Sequence, residues 1–224
     1  MNHFCLLTAI AVTFLISSVH AADRPATTLL KPEKLITAES FSSPGVLNSR
    51  GKPRWDGWSG GIGEFKTVDN AVYLIKEGPS EKRPNGHEAV CEYATELNDY
   101  VLKAEFKLGT SPQIGFVCRD TNKPNHHQGR VQITPKAIWI QKMSGIAKQT
   151  RKEVLTRIEV ELDTEAWHTI TVEVSGDQFV AKIDDHVVQA KHERFTAAKG
   201  RIGFVARGEG ALFRNVELWS GTPE

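Results

Sequence analysis

Apolar and polar residues alternate with a period of two along most of the chain, the signature of half-buried strands. Residues 100–108 are the cleanest case. Leu102, Ala104, Phe106 and Leu108 point one way, and Lys103, Glu105 and Lys107 the other. The same pattern predicts strands over residues 71–76, 130–134, 137–141, 167–174, 179–184, 200–206 and 211–219. Residues 113–118 are almost continuously apolar, which predicts burial on both faces. Turn residues stand between the runs: Pro135-Lys136, Ser175-Gly176-Asp177, Asp185-His186 and Gly208-Glu209-Gly210. Strands at this spacing, without helices between them, predict an all-β antiparallel β-sandwich. One stretch reads differently. In residues 146–160, Val154, Leu155 and Ile158 fall at helical spacing, so it is either a helix or a loop feeding a strand over 156–162.

The N-terminus follows another rule. Residues 4–18 (FCLLTAIAVTFLISS) carry no charge, yet they are shorter than the roughly 20 residues that a membrane span needs. Val19-His20-Ala21 then sets small or apolar residues before a cut after Ala21. This predicts a signal peptide over 1–21 and a secreted or periplasmic protein, with no stable membrane span after cleavage. Residues 22–34, with Pro25 and Pro32, read as a linker, 35–220 as one domain and 221–224 as a C-terminal tail. Cleavage removes Cys5 and leaves Cys91 and Cys118. An even pair in an exported chain forms a disulfide or stays as two small buried apolar groups. No C-x-x-C is present, which excludes a zinc ribbon.

Charge narrows the partners. With 28 Lys+Arg against 27 Asp+Glu, the net charge is +1, so no global field draws the chain to nucleic acid. The balance fits a neutral glycan better than a strongly anionic one. It also conceals a basic stretch over 142–157 and an acidic one over 159–165.

The hairpin sequence of residues 167–185 (WHTITVEVSGDQFVAKIDD) looks like the late hairpin of concanavalin A-like jelly rolls, and so does the closing GRIGFVARGEGALFRNVELW of 200–219. The Phe213-Arg214-Asn215 ending, the DYVLKAEF of residues 99–106 and the IGFVCR of 114–119 resemble the 3-keto-disaccharide hydrolase domain family. That family consists of exported jelly rolls related to glycoside hydrolase family 16. The resemblance covers most of residues 58–220. It implies a concanavalin A-like jelly roll that binds carbohydrate or cleaves an oxidised or ordinary glycosidic bond. The family commonly carries a glutamate in a G-Y-E-V-Q-I strand; here Gly129-Arg130-Val131-Gln132-Ile133 has arginine at the corresponding place.

Candidate chemistry gathers in three places. Arg119, Asp120, His126 and His127 surround a polar loop, and Arg130 and Gln132 share one side of the strand that follows. Trp139 and Gln141 join that side if the register allows. Planar polar groups suit sugar hydroxyls and an indole stacks on a sugar ring, so Arg119, Arg130, Gln132, Trp139 and Gln141 are the expected substrate contacts. His87, Glu88, Asp120, His126 and His127 are the expected acid–base groups, with histidine able to work near neutral pH. The alternative is a solvated sheet face. Asp120, Asn122 and Asn125 could supply oxygens to Ca²⁺; otherwise no cofactor is expected. Glu161-Leu-Asp-Thr-Glu165 resembles the paired carboxylates of glycoside hydrolase family 16, or is a solvated strand end. Trp55 and Trp58 serve as a sugar platform or, the preferred reading, cap the sandwich core. The remaining possibility is a structural envelope protein using the sheet face as an interface.

Overall fold

The computed structural model describes residues 24–121, 126–145 and 149–224. The expected signal peptide, Asn122 and Asn125 lie outside the described residues. Two antiparallel sheets face each other. In spatial order the first holds β15 (His186–Lys191), β14 (Gln178–Ile183), β13 (His168–Ser175), β8 (Tyr100–Lys107), β17 (Glu209–Pro223), β6 (Ala71–Ile75) and β5 (Glu64–Val68). β1 (Leu30–Glu39) also pairs with β17. The second holds β12 (Arg151–Glu159), β11 (Ala137–Ser144), β10 (His127–Thr134), β9 (Gln113–Asp120), β16 (Lys199–Arg207), β7 (Ala89–Leu97), β4 (Trp58–Ile62), β3 (Pro53–Arg54) and β2 (Val46–Leu47). The chain passes repeatedly from sheet to sheet, for instance between β7 and β8, β8 and β9, and β16 and β17. The all-β antiparallel sandwich expected from the alternation, and the jelly roll implied by the resemblance, are the fold observed.

Inward residues of both sheets form one core. Phe204 on β16 stacks on Phe213 on β17 at 4.3 Å between ring centres. Trp58, Phe41 and Phe116 pack around Phe204 at 5.6, 5.7 and 6.4 Å. Trp58 is fully buried and Trp55 meets Phe41 at 4.9 Å, so both tryptophans belong to the core end, as preferred above. Lys199 is fully buried as well. Its ammonium donates to the carbonyls of Asn98 and Phe195, which locks the 3-10 turn Glu193–Thr196 against the sheet.

Three expectations change. Residues 151–159 form the edge strand β12, with no helix there. Ile140 pairs with Thr156 but Gln141 with Val154, so Leu155 is the extra residue of a bulge. That insertion spaces Val154, Leu155 and Ile158 as if on a helix, while the charges suit an exposed edge. Residues 30–34, read as linker, belong to β1, and 221–223, read as tail, close its ladder: Leu30 pairs with Pro223 and Pro32 with Gly221. Of the two readings of Cys91 and Cys118, the structure takes the pair of buried free thiols and not the disulfide. Both thiols are free and buried, and β16 lies between their strands. Two strand spacings are roughly 10 Å, beyond the reach of a disulfide at about 7 Å between Cα atoms. Burial pushes both thiols up, Cys91 most. A thiol reagent should therefore modify neither cysteine in the folded protein, and both in concentrated guanidinium chloride without reductant. Modification only after reduction would reinstate the bridge.

Candidate functional site

The strands that bury Phe116, Val131, Ile140 and Phe204 inward must turn their alternate residues outward. On the central strands this outer face has an apolar floor of Val90, Val117 and Val205, with Ile62 against it. Long polar side chains lie over the floor. Arg130 and Gln132 are 2% and 1% exposed, although among the described residues no third sheet covers this face.

Two glutamates organise the arginines. Glu88 accepts from Arg130 Nη1 at 2.7 Å and faces Arg207 Nε at 3.9 Å. Glu92 accepts from Arg119 Nε and faces Arg201 Nη1 at 3.5 Å. The face thus carries two neighbouring Arg–Glu–Arg triads. Gly203 makes the second possible. It stands opposite Glu92 in register, and a Cβ there would lie 2.2 Å from the Cys91 carbonyl oxygen and 2.9 Å from Glu92 Cγ. Without a side chain at 203, the glutamate lies flat across β16.

Arg119 Nη1 also donates to the His127 ring, 2.8 Å from Nδ1. His127 opposes Arg119 because a bulge at residue 128 puts 127 outward and Gly129 inward. Beyond it, Gln132 faces Trp139 and Arg130 faces Gln141 across the β10–β11 ladder. The Gln132 amide satisfies its surroundings with its oxygen toward Arg130 Nη2 and Nη1, at 2.9 and 3.1 Å, and its nitrogen toward the Ile114 carbonyl at 3.0 Å. Trp139 Nε1 donates to Gln141 Oε1 at 3.1 Å, and Arg157 sits 5.3 Å from the Trp139 ring centre. The half-buried indole is therefore aligned by polar partners on its own face.

Electrostatics fix the protonation states. Burial, followed by Arg119 and Arg130, lowers His127 to about 3. The ring is neutral, with Nδ1 occupied by an arginine proton. Burial alone would raise Glu88, but Arg130 outweighs it with charge and hydrogen bond, and the carboxyl stays below its ordinary value. Lys152, opposite Met143 on β12, is lowered by burial and then by Arg130.

The structure splits the sequence candidates. Glu88, Arg119, His127, Arg130, Gln132, Trp139 and Gln141 meet on this face. Asp120 and His126 do not: Asp120 holds His126 Nδ1 and Arg194 Nη2, each at 2.7 Å. His126 Nε2 accepts from the Gly145 amide at 3.2 Å, so both of its nitrogens are taken. This knot ties the 3-10 turn to the end of β9, and its histidine and aspartate are corrected to a structural role. Asn122 and Asn125, the other members of the expected calcium set, lie outside the described residues. His87 turns back on its own chain, Nδ1 lying 2.7 Å from the Glu88 carbonyl oxygen. Glu161 pairs with exposed Lys136 at 2.6 Å and Asp163 caps the Glu165 amide at 2.9 Å. That acidic motif is a solvated turn. Glu92, Lys152, Arg201 and Arg207 were missed by the sequence reading; for Arg201 and Arg207 the outward alternation of 200–206 was the only signal. Two surface hollows of about 660 and 590 Å³ lie elsewhere, the first beside Trp55 and Arg54, the second beside Glu105 and Asn215.

A model of the 3-keto-alpha-glucoside-1,2-lyase-like domain matches residues 47–218. The chain belongs to that family. Membership in it makes the protein a carbohydrate-active domain. No curated protein matches the chain. Among solved structures, the chain is similar to carbohydrate-binding module CBM66 from Bacillus subtilis, with 16% identity and a TM-score of 0.56 over 73% of this chain and 96% of that one. It is also similar to SCLam, a non-specific endo-β-1,3(4)-glucanase of family GH16, with 12% identity and a TM-score of 0.56 over 87% and 96%. A LamA from Z. galactanivorans in complex with laminaritriose and laminaritetraose gives 10% identity and 0.59 over 85% and 100%. At such identities the likeness is one of fold. Within the 3-keto-alpha-glucoside-1,2-lyase-like family, this chain carries the Arg130 cluster described above.

His127 provides a direct check of the face. An unfolded histidine takes up a proton near pH 6.5, whereas the folded ring resists to about 3. Stability is thus lost as pH falls through that window. In an NMR titration the His127 ring signals should stay in the neutral position from pH 8 to 5. His127→Gln should show a smaller drop in Tm than the parent between pH 7 and 4.5. Titration of His127 near 6.5 would break the assigned Arg119 contact.

Proposed function

We propose that this carbohydrate-active domain is exported and holds a glycan on the outer face of the second sheet as a binding module. One observation carries the reading: the face offers donors and almost no free base. Each of its two glutamates is shared by two arginines, and His127 Nδ1 accepts a hydrogen bond from Arg119. Hydrolysis by paired carboxyls needs one of them protonated at working pH and the two set about 5–10 Å apart for their task. Glu88 is held ionised, and Glu92 is tied to Arg119 and Arg201. Trp139 offers a ring face for stacking, while Arg130, Gln132 and Gln141 offer donors to ring oxygens.

A second reading is favoured by the family and by the same arginines. In a glycoside oxidised to a ketone at C3, the C2 proton is acidic. Its removal leaves an enolate, and expulsion of the C1 oxygen with the bonding pair gives a C1=C2 double bond and an aglycone that takes up a proton. Arginines at the ketone oxygen would stabilise the enolate. His127 would have to release Arg119 before it could serve as the base.

A glycan panel probed by calorimetry, with chromatography of the mixtures, separates the two. The binding reading expects saturable heat and unchanged glycan, with affinity falling about tenfold in Trp139→Ala at unchanged Tm. A magnitude of about 1–1.5 kcal/mol is usual for such a ring contact. An unsaturated 3-keto product from a 3-keto glucoside, lost in Arg130→Gln, would replace it with the elimination. Export has its own test. Residues 4–18 and the Val19-His20-Ala21 site support an N-terminus at Ala22, and mass spectrometry of the protein from its native host should find it. An intact Met1 in an exported fraction would refute cleavage.

A further inference from the structure

The whole chain is nearly neutral, but the binding face is not. Arg119, Arg130, Lys152, Arg201 and Arg207 stand there against Glu88 and Glu92, a surplus of three positive charges. Such a surplus is costly unless something negative shares it, because like charges brought out of water repel more strongly. Its distribution is uneven. Arg130 is buried, and its Nη1 pairs with Glu88. Arg207 is only loosely held by the same carboxylate at 3.9 Å, and its side chain is 52% exposed. Lys152 makes no ion pair among the described residues; it feels Arg130 and Arg207 as like charges and Glu88 as an opposite one.

A second feature points the same way. Gln141 is 5% exposed, and its Nε2 has no hydrogen-bond partner among the described residues. It lies directly opposite Arg130 in the β10–β11 ladder. A buried amide N–H₂ without an acceptor costs about 1–3 kcal/mol of desolvation. The missing group is an acceptor, at the place where the cations converge.

We propose that the glycan held on this face carries an anionic substituent, a carboxylate or a sulfate ester, seated among Arg130, Arg207 and Lys152 with Gln141 Nε2 donating to it. The inference rests on the glycan-binding reading and sharpens it to acidic sugars. Arginine suits the task, because its fork of N–H groups pairs with two oxygens of one carboxylate or sulfate at once. Glu88 keeps Arg130 and Arg207 aimed at a common point, and the loose Arg207 can leave it for the ligand. The near-zero total charge, which favoured a neutral glycan, averages this face with acidic surface elsewhere.

The test compares matched pairs by calorimetry: tetraglucuronate, tetragalacturonate and tetramannuronate, each against its carboxyl-reduced tetramer, and a sulfated galactotetraose against its desulfated form. At least one acidic member should bind tenfold or more tighter than its neutral partner. The preference should shrink as salt rises, because screening weakens charge pairing. Arg207→Gln and Lys152→Gln should each cut the acid-to-neutral ratio severalfold. An unchanged ratio in a variant that keeps the parent Tm would count against the proposal. The uronate and sulfate arms tell which anion is preferred. Equal affinity for acidic and neutral members overturns the anionic site and leaves the glycan-binding reading standing. Heat from no pair at all overturns both.

Discussion

The stack of Phe204 on Phe213 is the contact from which the rest of the molecule takes its register. It joins consecutive strands that lie in different sheets, so it closes the sandwich with a sequence separation of only nine residues. Such local closure costs little chain entropy compared with the distant pairings around it. Once Phe204 points inward, Ile202 and Ala206 must follow, and Arg201, Gly203, Val205 and Arg207 must face out. A slip of one residue in β16 would drive two guanidiniums into the core. Packing and surface chemistry are set by the same alternation.

The outer face shows how polar side chains can be buried without a covering layer. The valine floor removes water from below, and the side chains shield one another from above. Dehydrating an arginine is expensive, and an ion pair in such a place roughly repays that expense rather than adding net stability. What the triads give is position. Glu88 and Glu92 each draw two arginines together, and the Arg119 contact fixes the His127 ring. The Asp120–His126–Arg194 knot does comparable work at the edge, where it anchors the 3-10 turn beside Lys199.

Most of the sheet was legible in the sequence because buried strands repeat every two residues. The runs at 100–108, 113–118 and 200–206 were found within a residue or two of β8, β9 and β16. β12 was not, because a bulge at Leu155 breaks the period on an exposed strand. β1 escaped for a similar reason: Pro32 and register shifts at Leu35 and Thr37 erase its alternation. The site was half legible. Arg130 and Gln132 share a strand face, and Trp139 and Gln141 follow across a short turn, so local spacing sufficed. The glutamates that hold the arginines sit 27 and 42 residues from Arg119 and Arg130. Their convergence comes from sheet order, which a linear pattern does not contain. The separation of His126 from His127 was hidden too, since neighbours in sequence diverge when one belongs to an edge knot and the other to a strand.

The triads also make the face easy to retune over evolutionary time. A change that removes one carboxylate raises the local charge by one and frees two guanidiniums without altering a single cation. A glutamate introduced at a neighbouring outward position would do the reverse. Because the inward residues of β7 and β16 are separate from these outward ones, such steps leave the Phe204 core in place. Descendants of this scaffold can therefore change the charge of this face by single substitutions that leave the inward packing of β7 and β16 as it is.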